Sequence, residues 1–163
     1  METLFTPWRF SYISMSDASD GCFFCQAAHQ PLDDRSLVVW RDSDHLVMLN
    51  RFPYTNGHLM VAPIAHQADP ASSSPAAAAL FWPLVLRCKQ VLDSVYSPHG
   101  FNMGLNLGRS GGAGVPEHFH FHVVPRWRGD TNFMSVIGET RLVPEELSAV
   151  VRKLRPLFAV EEN

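Results

Sequence analysis

Residues 116–127 read "PEHFHFHVVPRW", with histidines at 118, 120 and 122 and apolar residues at 119, 121 and 123. Strict alternation predicts a β-strand over 118–124, closed by Pro125, because successive side chains of a strand point to opposite faces. Phe119, Phe121 and Val123 then face a core, while His118, His120 and His122 share the other face, about 6.8 Å apart at each step. Three ionisable rings in a row are costly unless they are solvated, paired or coordinated. One metal cannot hold all three, because the backbones of His118 and His122 lie about 13 Å apart and zinc ligands converge to about 2.1 Å from the ion. The rings must divide the work. His120, flanked on both sides, has the setting in which a neighbour fixes an imidazole's tautomer and aims its free nitrogen as a nucleophile at an acyl or phosphoryl group.

Upstream, "GRSGGAG" (108–114) has four glycines in seven residues. Its backbone N–H groups can form a nest for phosphate oxygens, which together with a histidine nucleophile points to attack on phosphorus. "FNMGLNLG" alternates as a strand over 101–107, and three further β-rich runs, 37–41, 45–49 and 58–62, form a meander. Apolar residues from Leu80 to Val95 recur at helical spacing and predict a helix over 76–96, in which Pro83 distorts the first turns or marks the start. A last helix is expected from Pro144, with Glu145 and Glu146 in its first turn. The reading is an α+β fold: a mainly antiparallel five-stranded sheet with one long and one C-terminal helix, in a single domain over 1–163.

The chain has 163 residues, 46% of them hydrophobic and 18% charged, and a formal net charge of -3, which excludes the bulk basic character of a nucleic-acid binder. No apolar run approaches the roughly 18 residues of a membrane span, and the N-terminus has no basic start followed by an apolar h-region. A cytoplasmic location, with no nucleic-acid or membrane partner, is the expectation. Three cysteines in a reducing compartment do not make a disulfide framework. Cys88 reads as a buried helix residue. Cys22 and Cys25 form a CxxC motif outside a thioredoxin-like strand-to-helix setting, which favours zinc over redox chemistry. By spacing alone His29, His45, His58, His66, His99 and the three alternating histidines all qualify as the remaining ligands. His29, His45 and His99 otherwise read as surface or capping residues.

"HFHFHVV" resembles the His-φ-His-φ-His-φ-φ signature of the histidine triad superfamily of nucleotide hydrolases and transferases, and "NGHLMVAPIAH" resembles the strand those proteins place beside it. The likeness extends over nearly the whole chain, and "PWRFSYI" and "PRWRGDTNFMSVI" look most like the bacterial branch that includes diadenosine tetraphosphate phosphorylases. The resemblance implies a homodimer and a nucleotidyl-histidine mechanism. It assigns His120 as nucleophile, His122 as its support and His58 as the histidine that orients the site. Asn50 matches a ribose contact and Asn106 a contact near the α-phosphate. Cys22, Cys25, His66 and His118 match the ligands of a structural zinc, with no catalytic metal required.

One departure stands just before the triad, where many members carry Gln followed by Ser or Thr and this chain has Gly114 and Val115. Backbone amides from Ser110 through Gly111, Gly112 and Gly114, with the Ser110 hydroxyl, are expected to replace those side chains. The expected reaction is attack by neutral His120 on the α-phosphorus of an adenine-nucleotide anhydride such as diadenosine tetraphosphate. Inorganic phosphate or water then releases the adenylyl group, with N–H donors and a protonated imidazole meeting the developing charge. The alternatives are hydrolysis of AMP esters or phosphoramidates, and a non-catalytic zinc-stabilised nucleotide-binding module.

Overall fold

The computed structural model describes residues 21–33, 35–131 and 144–159. "PWRFSYI" and the last residues of "PRWRGDTNFMSVI" lie outside them. In chain order the elements are α1 (Phe23–His29), β1 (Val38–Arg41), β2 (His45–Leu49), β3 (Leu59–Pro63), α2 (Pro75–Tyr96), β4 (Gly100–Leu105), β5 (Phe121–Arg126) and α3 (Leu147–Ala159). The strands form one sheet in the order β1-β2-β3-β5-β4, antiparallel at every pairing. This is the α+β arrangement expected from the alternating runs, with one helix that the sequence reading did not anticipate, α1.

The two faces of the sheet differ. Val47, Leu49, Leu59, Val61 and Val123 point toward α2 and α3, where they meet Val85, Cys88, Leu92, Val151 and Leu154. On the opposite face Phe24, Ala27 and Ala28 of α1 pack on Val38, Leu46, Met48, Met60 and Ala62. The register runs Met48↔Met60↔His122↔Gly104 across four strands, so His122 belongs to the α1 face. The apolar row of β2 and β3 therefore ends at an imidazole.

α2 begins at Pro75, behind Ser74, whose hydroxyl accepts the Ala77 N–H at 3.2 Å. It is continuous through Pro83 instead of starting there. Pro83 and Ala79, whose carbonyl loses its helical donor, are both exposed, so that carbonyl is not buried without a partner. α3 starts at Leu147, not Pro144, because the Glu146 carbonyl accepts the first helical N–H groups, from Ala149 and Val150.

The histidine segment departs further from expectation. β5 begins at Phe121, so His118 and His120 lie in the approach to the strand rather than within it. Their bonds explain this. The Phe119 N–H donates to the Gln67 carbonyl, outside the sheet, and the Pro63 carbonyl at the end of β3 accepts from the His118 ring at 2.9 Å. Pro125 does not close the strand either. Its carbonyl accepts from the Thr55 hydroxyl at 2.8 Å, and the β3 ladder has already ended at Val123, so its lacking N–H breaks no sheet bond on that side. Among the described residues no helix is long and apolar enough to cross a membrane.

Candidate active site and metal centre

α1 carries the first half of the site. Cys22 caps it and Cys25 lies in its first turn, which turns both sulfurs to one end of the helix. Arg41 of β1 holds the other end, donating to the carbonyls of Ala28 and Gln30 at 2.8 Å each. Cys22 Sγ lies 3.3 Å from His118 Nδ1, Cys25 Sγ lies 3.3 Å from His66 Nδ1 and 3.7 Å from His118 Nδ1. The four donor atoms fall within 4.8 Å of one another. Ligands at about 2.3 Å (sulfur) and 2.1 Å (nitrogen) on a tetrahedral ion are about 3.6 Å apart, so this set fits zinc. The second donor of His118 supports the fit: its Nε2–H is given to the Pro63 carbonyl, which leaves a lone pair on Nδ1, aimed at the sulfurs. Of all the histidines that spacing left open, the fold selects His66 and His118. His45, read from the sequence as a surface or capping residue, is buried and packs edge-on against Phe81.

The other two triad histidines have different surroundings. His120 Nδ1 is 3.0 Å from the His118 carbonyl, an acceptor only, so the proton is on Nδ1 and the lone pair on Nε2. The backbone N–H of Tyr54 donates to His58 Nδ1 at 3.2 Å, which puts the proton of His58 on Nε2. That proton is given to His122 Nδ1 at 2.9 Å, so His122 carries its own on Nε2. A bare nitrogen on His120 thus stands beside an N–H on His122, with ring centroids 4.9 Å apart. Burial lowers the pKa of His120. Burial first, and then repulsion from His120, lowers His122 to about 4. Both rings are neutral at pH 7, and the protonated imidazole expected from the sequence is instead a neutral N–H donor.

Two contacts at this site were not foreseen. Phe24, buried between the two cysteines in sequence, lies 5.1 Å from the His118 ring and 4.7 Å from the His120 ring, so one side chain touches a metal-ligand ring and the bare-nitrogen ring. Tyr54 covers His58 at 4.7 Å and His122 at 6.0 Å. An apolar residue between two ligand cysteines was the available signal for the first; nothing in the sequence marked the second.

Asn50 is buried at the end of β2, and its Oδ1 accepts the Phe52 N–H at 2.9 Å, which shapes the turn leading to His58. A cavity of about 380 Å³ is lined by Phe23, Ala27, Leu37, Met48 and two cations, Arg35 and Arg51, the last next to Asn50 in sequence. Met48 and His122 are two strands apart in the same row, about 9.6 Å, so the cavity and the imidazoles occupy neighbouring ground on one face. Gly104, opposite His122, leaves open space where a side chain would stand.

The glycine loop is only partly the nest expected. The N–H groups of Gly112 and Ala113 are used within it, donating to the carbonyls of Arg109 and Gly108. Asn106 Nδ2 donates to the Gly112 carbonyl at 3.4 Å and ties the loop to the end of β4. Among the described residues the N–H groups of Ser110, Gly111 and Gly114 take no backbone partner. Gly111 is required by space, since a Cβ there would stand 2.2 Å from the Leu107 carbonyl oxygen.

Comparison with known proteins agrees with this geometry. The HIT domain family matches residues 33–129. Over 168 aligned residues the chain is 34% identical to the AP-4-A phosphorylase of Mycobacterium tuberculosis, spanning 99% of this chain and 84% of that protein. It is 28% identical over 123 residues to the asymmetrical bis(5'-nucleosyl)-tetraphosphatase of Schizosaccharomyces pombe, spanning 76% of this chain and 64% of that one. A zinc-bound histidine triad family protein from Mycobacterium smegmatis superposes with a TM-score of 0.66 at 27% identity, covering 88% of this chain and 95% of that one. The chain belongs to the HIT, or histidine triad, family.

Proposed function

We propose that this chain is a nucleotidyl hydrolase or transferase that cleaves adenine dinucleoside polyphosphates such as diadenosine tetraphosphate. One observation carries the reading: a neutral imidazole, His120, with its lone pair on Nε2, beside an N–H on His122 whose proton His58 and the Tyr54 backbone hold in place.

His120 Nε2 attacks the α-phosphorus. The N–P bond forms, the bond to the bridging oxygen breaks, and the electron pair leaves with the departing polyphosphate. The positive charge on the adenylylated ring is met by the His118 carbonyl, which already accepts its Nδ1–H. The His122 Nε2–H and the open amides of Ser110, Gly111 and Gly114 stabilise the phosphoryl oxygens. Inorganic phosphate or water then attacks phosphorus and the N–P electrons return to His120. The nucleoside fits the cavity of Phe23, Met48 and Arg51, with Asn50 at its ribose end. Zinc on Cys22, Cys25, His66 and His118, when bound, anchors α1 to the triad segment and takes no part in bond breaking.

A polyphosphate leaves without a proton, which suits a neutral His122. An amine leaving an AMP phosphoramidate needs one, and a ring with a pKa of about 4 has none to spare at pH 7. A homodimer is part of the proposal. Leu105 and Leu107 are exposed at the open edge formed by β4, and Trp82, exposed on α2, lies edge-on to Phe121 beside them. The test is incubation with diadenosine tetraphosphate, with and without phosphate, and identification of the nucleotides released. ATP plus ADP marks phosphorolysis, ATP plus AMP marks hydrolysis, and His120→Asn abolishes both. Near-normal turnover by His120→Asn refutes the mechanism, and nucleotide binding without turnover by the wild type returns the chain to a binding module.

A further inference from the structure

Tyr54 sits in the loop between β2 and β3, and its backbone N–H orders His58. Its side chain does something that this task does not require. The ring covers His58 and lies over His122 at 6.0 Å with the two planes only 25° apart, yet 47% of the residue remains exposed. The ring thus lies against the imidazoles while nearly half of the residue stays exposed. Tyr54 is not part of the wall of the nucleoside cavity, which is built from Phe23, Ala27, Met48 and their neighbours at the other end of the Met48–Met60–His122 row. The site therefore has a cavity of apolar residues and two arginines at one end, the reacting imidazoles in the middle and an exposed aromatic residue over the imidazoles.

This layout suits a substrate with two flat ends. A nucleoside in the cavity places its 5′-phosphate at His120, and the departing phosphates pass His122, over which the exposed Tyr54 lies. We infer that Tyr54 is the stacking surface for the base of the leaving nucleoside, and so the residue by which the site prefers a dinucleoside polyphosphate to a mononucleotide of the same charge. Stacking of a base on an aromatic ring is tolerant of base identity. The preference it creates is for a second purine or pyrimidine of any kind. The inference rests on the nucleotidyl-transfer reading of the site.

Two ligands separate the two ideas, diadenosine tetraphosphate and the δ-methyl ester of adenosine 5′-tetraphosphate, which share the adenosine, the four phosphates and the charge and differ in the second nucleoside. Binding is measured by calorimetry on the His120→Asn protein, where neither ligand is consumed. The dinucleotide is expected to bind about tenfold more tightly, His120→Asn/Tyr54→Leu to lose that margin, and His120→Asn/Tyr54→Trp to keep it. Equal affinity for the two ligands, or a Tyr54→Leu loss of the same size for both, overturns the stacking role and leaves the nucleotide reading standing. No binding of either ligand overturns both.

Discussion

Acidification is expected to unload stability through His122. Its ring is ordinarily protonated with a pKa of 6.5, and in the fold burial and the neighbouring His120 hold it at about 4. Between those values the unfolded chain binds a proton that the folded chain refuses, so stability rises with pH across the window and is lost as pH falls from 6.5 toward 4. A shift of this size corresponds to at most about 3.4 kcal/mol. The ring is only partly enclosed and keeps some hydration, which brings the expected loss to roughly 2 kcal/mol. Urea unfolding at pH 7.5 and pH 4.5, on the wild type and on His122→Gln, isolates the ring. The Gln oxygen still accepts the His58 Nε2–H and has no proton to gain. Loss of metal from the Cys and His ligands affects both proteins alike, so the difference between their pH responses belongs to His122. The wild type should lose roughly 2 kcal/mol more than the variant. Equal losses would refute the claim that His122 is kept neutral by its surroundings.

Phe24→Ala removes a ring buried against two imidazoles and the α1 face of the sheet, and should cost about 3–5 kcal/mol in urea unfolding at pH 7.5. A cost below 1 kcal/mol would mean that α1 does not pack there. Gly57 precedes His58 with φ +74°, and a Cβ would stand 3.0 Å from Leu92 Cδ2. Gly57→Ala should destabilise by about 1–2 kcal/mol and slow turnover by displacing His58, which unfolding curves and steady-state rates measure together. Chelation of the holoprotein is expected to release one zinc per chain and lower Tm by roughly 5 °C or more. Cys25→Ser should contain little zinc and show no further change with chelator; an unchanged melting curve in the wild type would remove the structural role from the metal.

What was legible in the sequence follows from what periodicity reports. The β-rich runs at 45–49 and 58–62 and the helical spacing from Leu80 to Val95 mark elements that meet a core, and those elements stand within a residue or so of expectation. Alternation at 118–124 recorded a face correctly and an extent wrongly, because a strand needs partners for its backbone. The Pro63 carbonyl, which the register sets opposite Phe119, is taken by the His118 imidazole. The same bond does chemical work, since it frees His118 Nδ1 for the sulfurs, so the place where the strand pattern fails is the place where the metal centre begins.

The metal ligands show a second limit. Cysteines at 22 and 25 mark two donors, but six other histidine positions besides the eventual pair met the spacing condition equally well. Only the end of β3, which brings His66 within 3.3 Å of Cys25, distinguishes them, and that is a property of the sheet rather than of any local stretch. The family resemblance supplied this pair because a signature records a fold already solved. It had less to say where the chain departs from the signature. In 108–114 glycine richness suggested a full nest of amides, yet two of those N–H groups close the loop on itself, and Gly111 is there because the Leu107 carbonyl admits no side chain. Glycines read in sequence show that the backbone is free to turn. Which amides that turn leaves open is decided by the bonds within the loop, and among the described residues those of Ser110, Gly111 and Gly114 take no backbone partner.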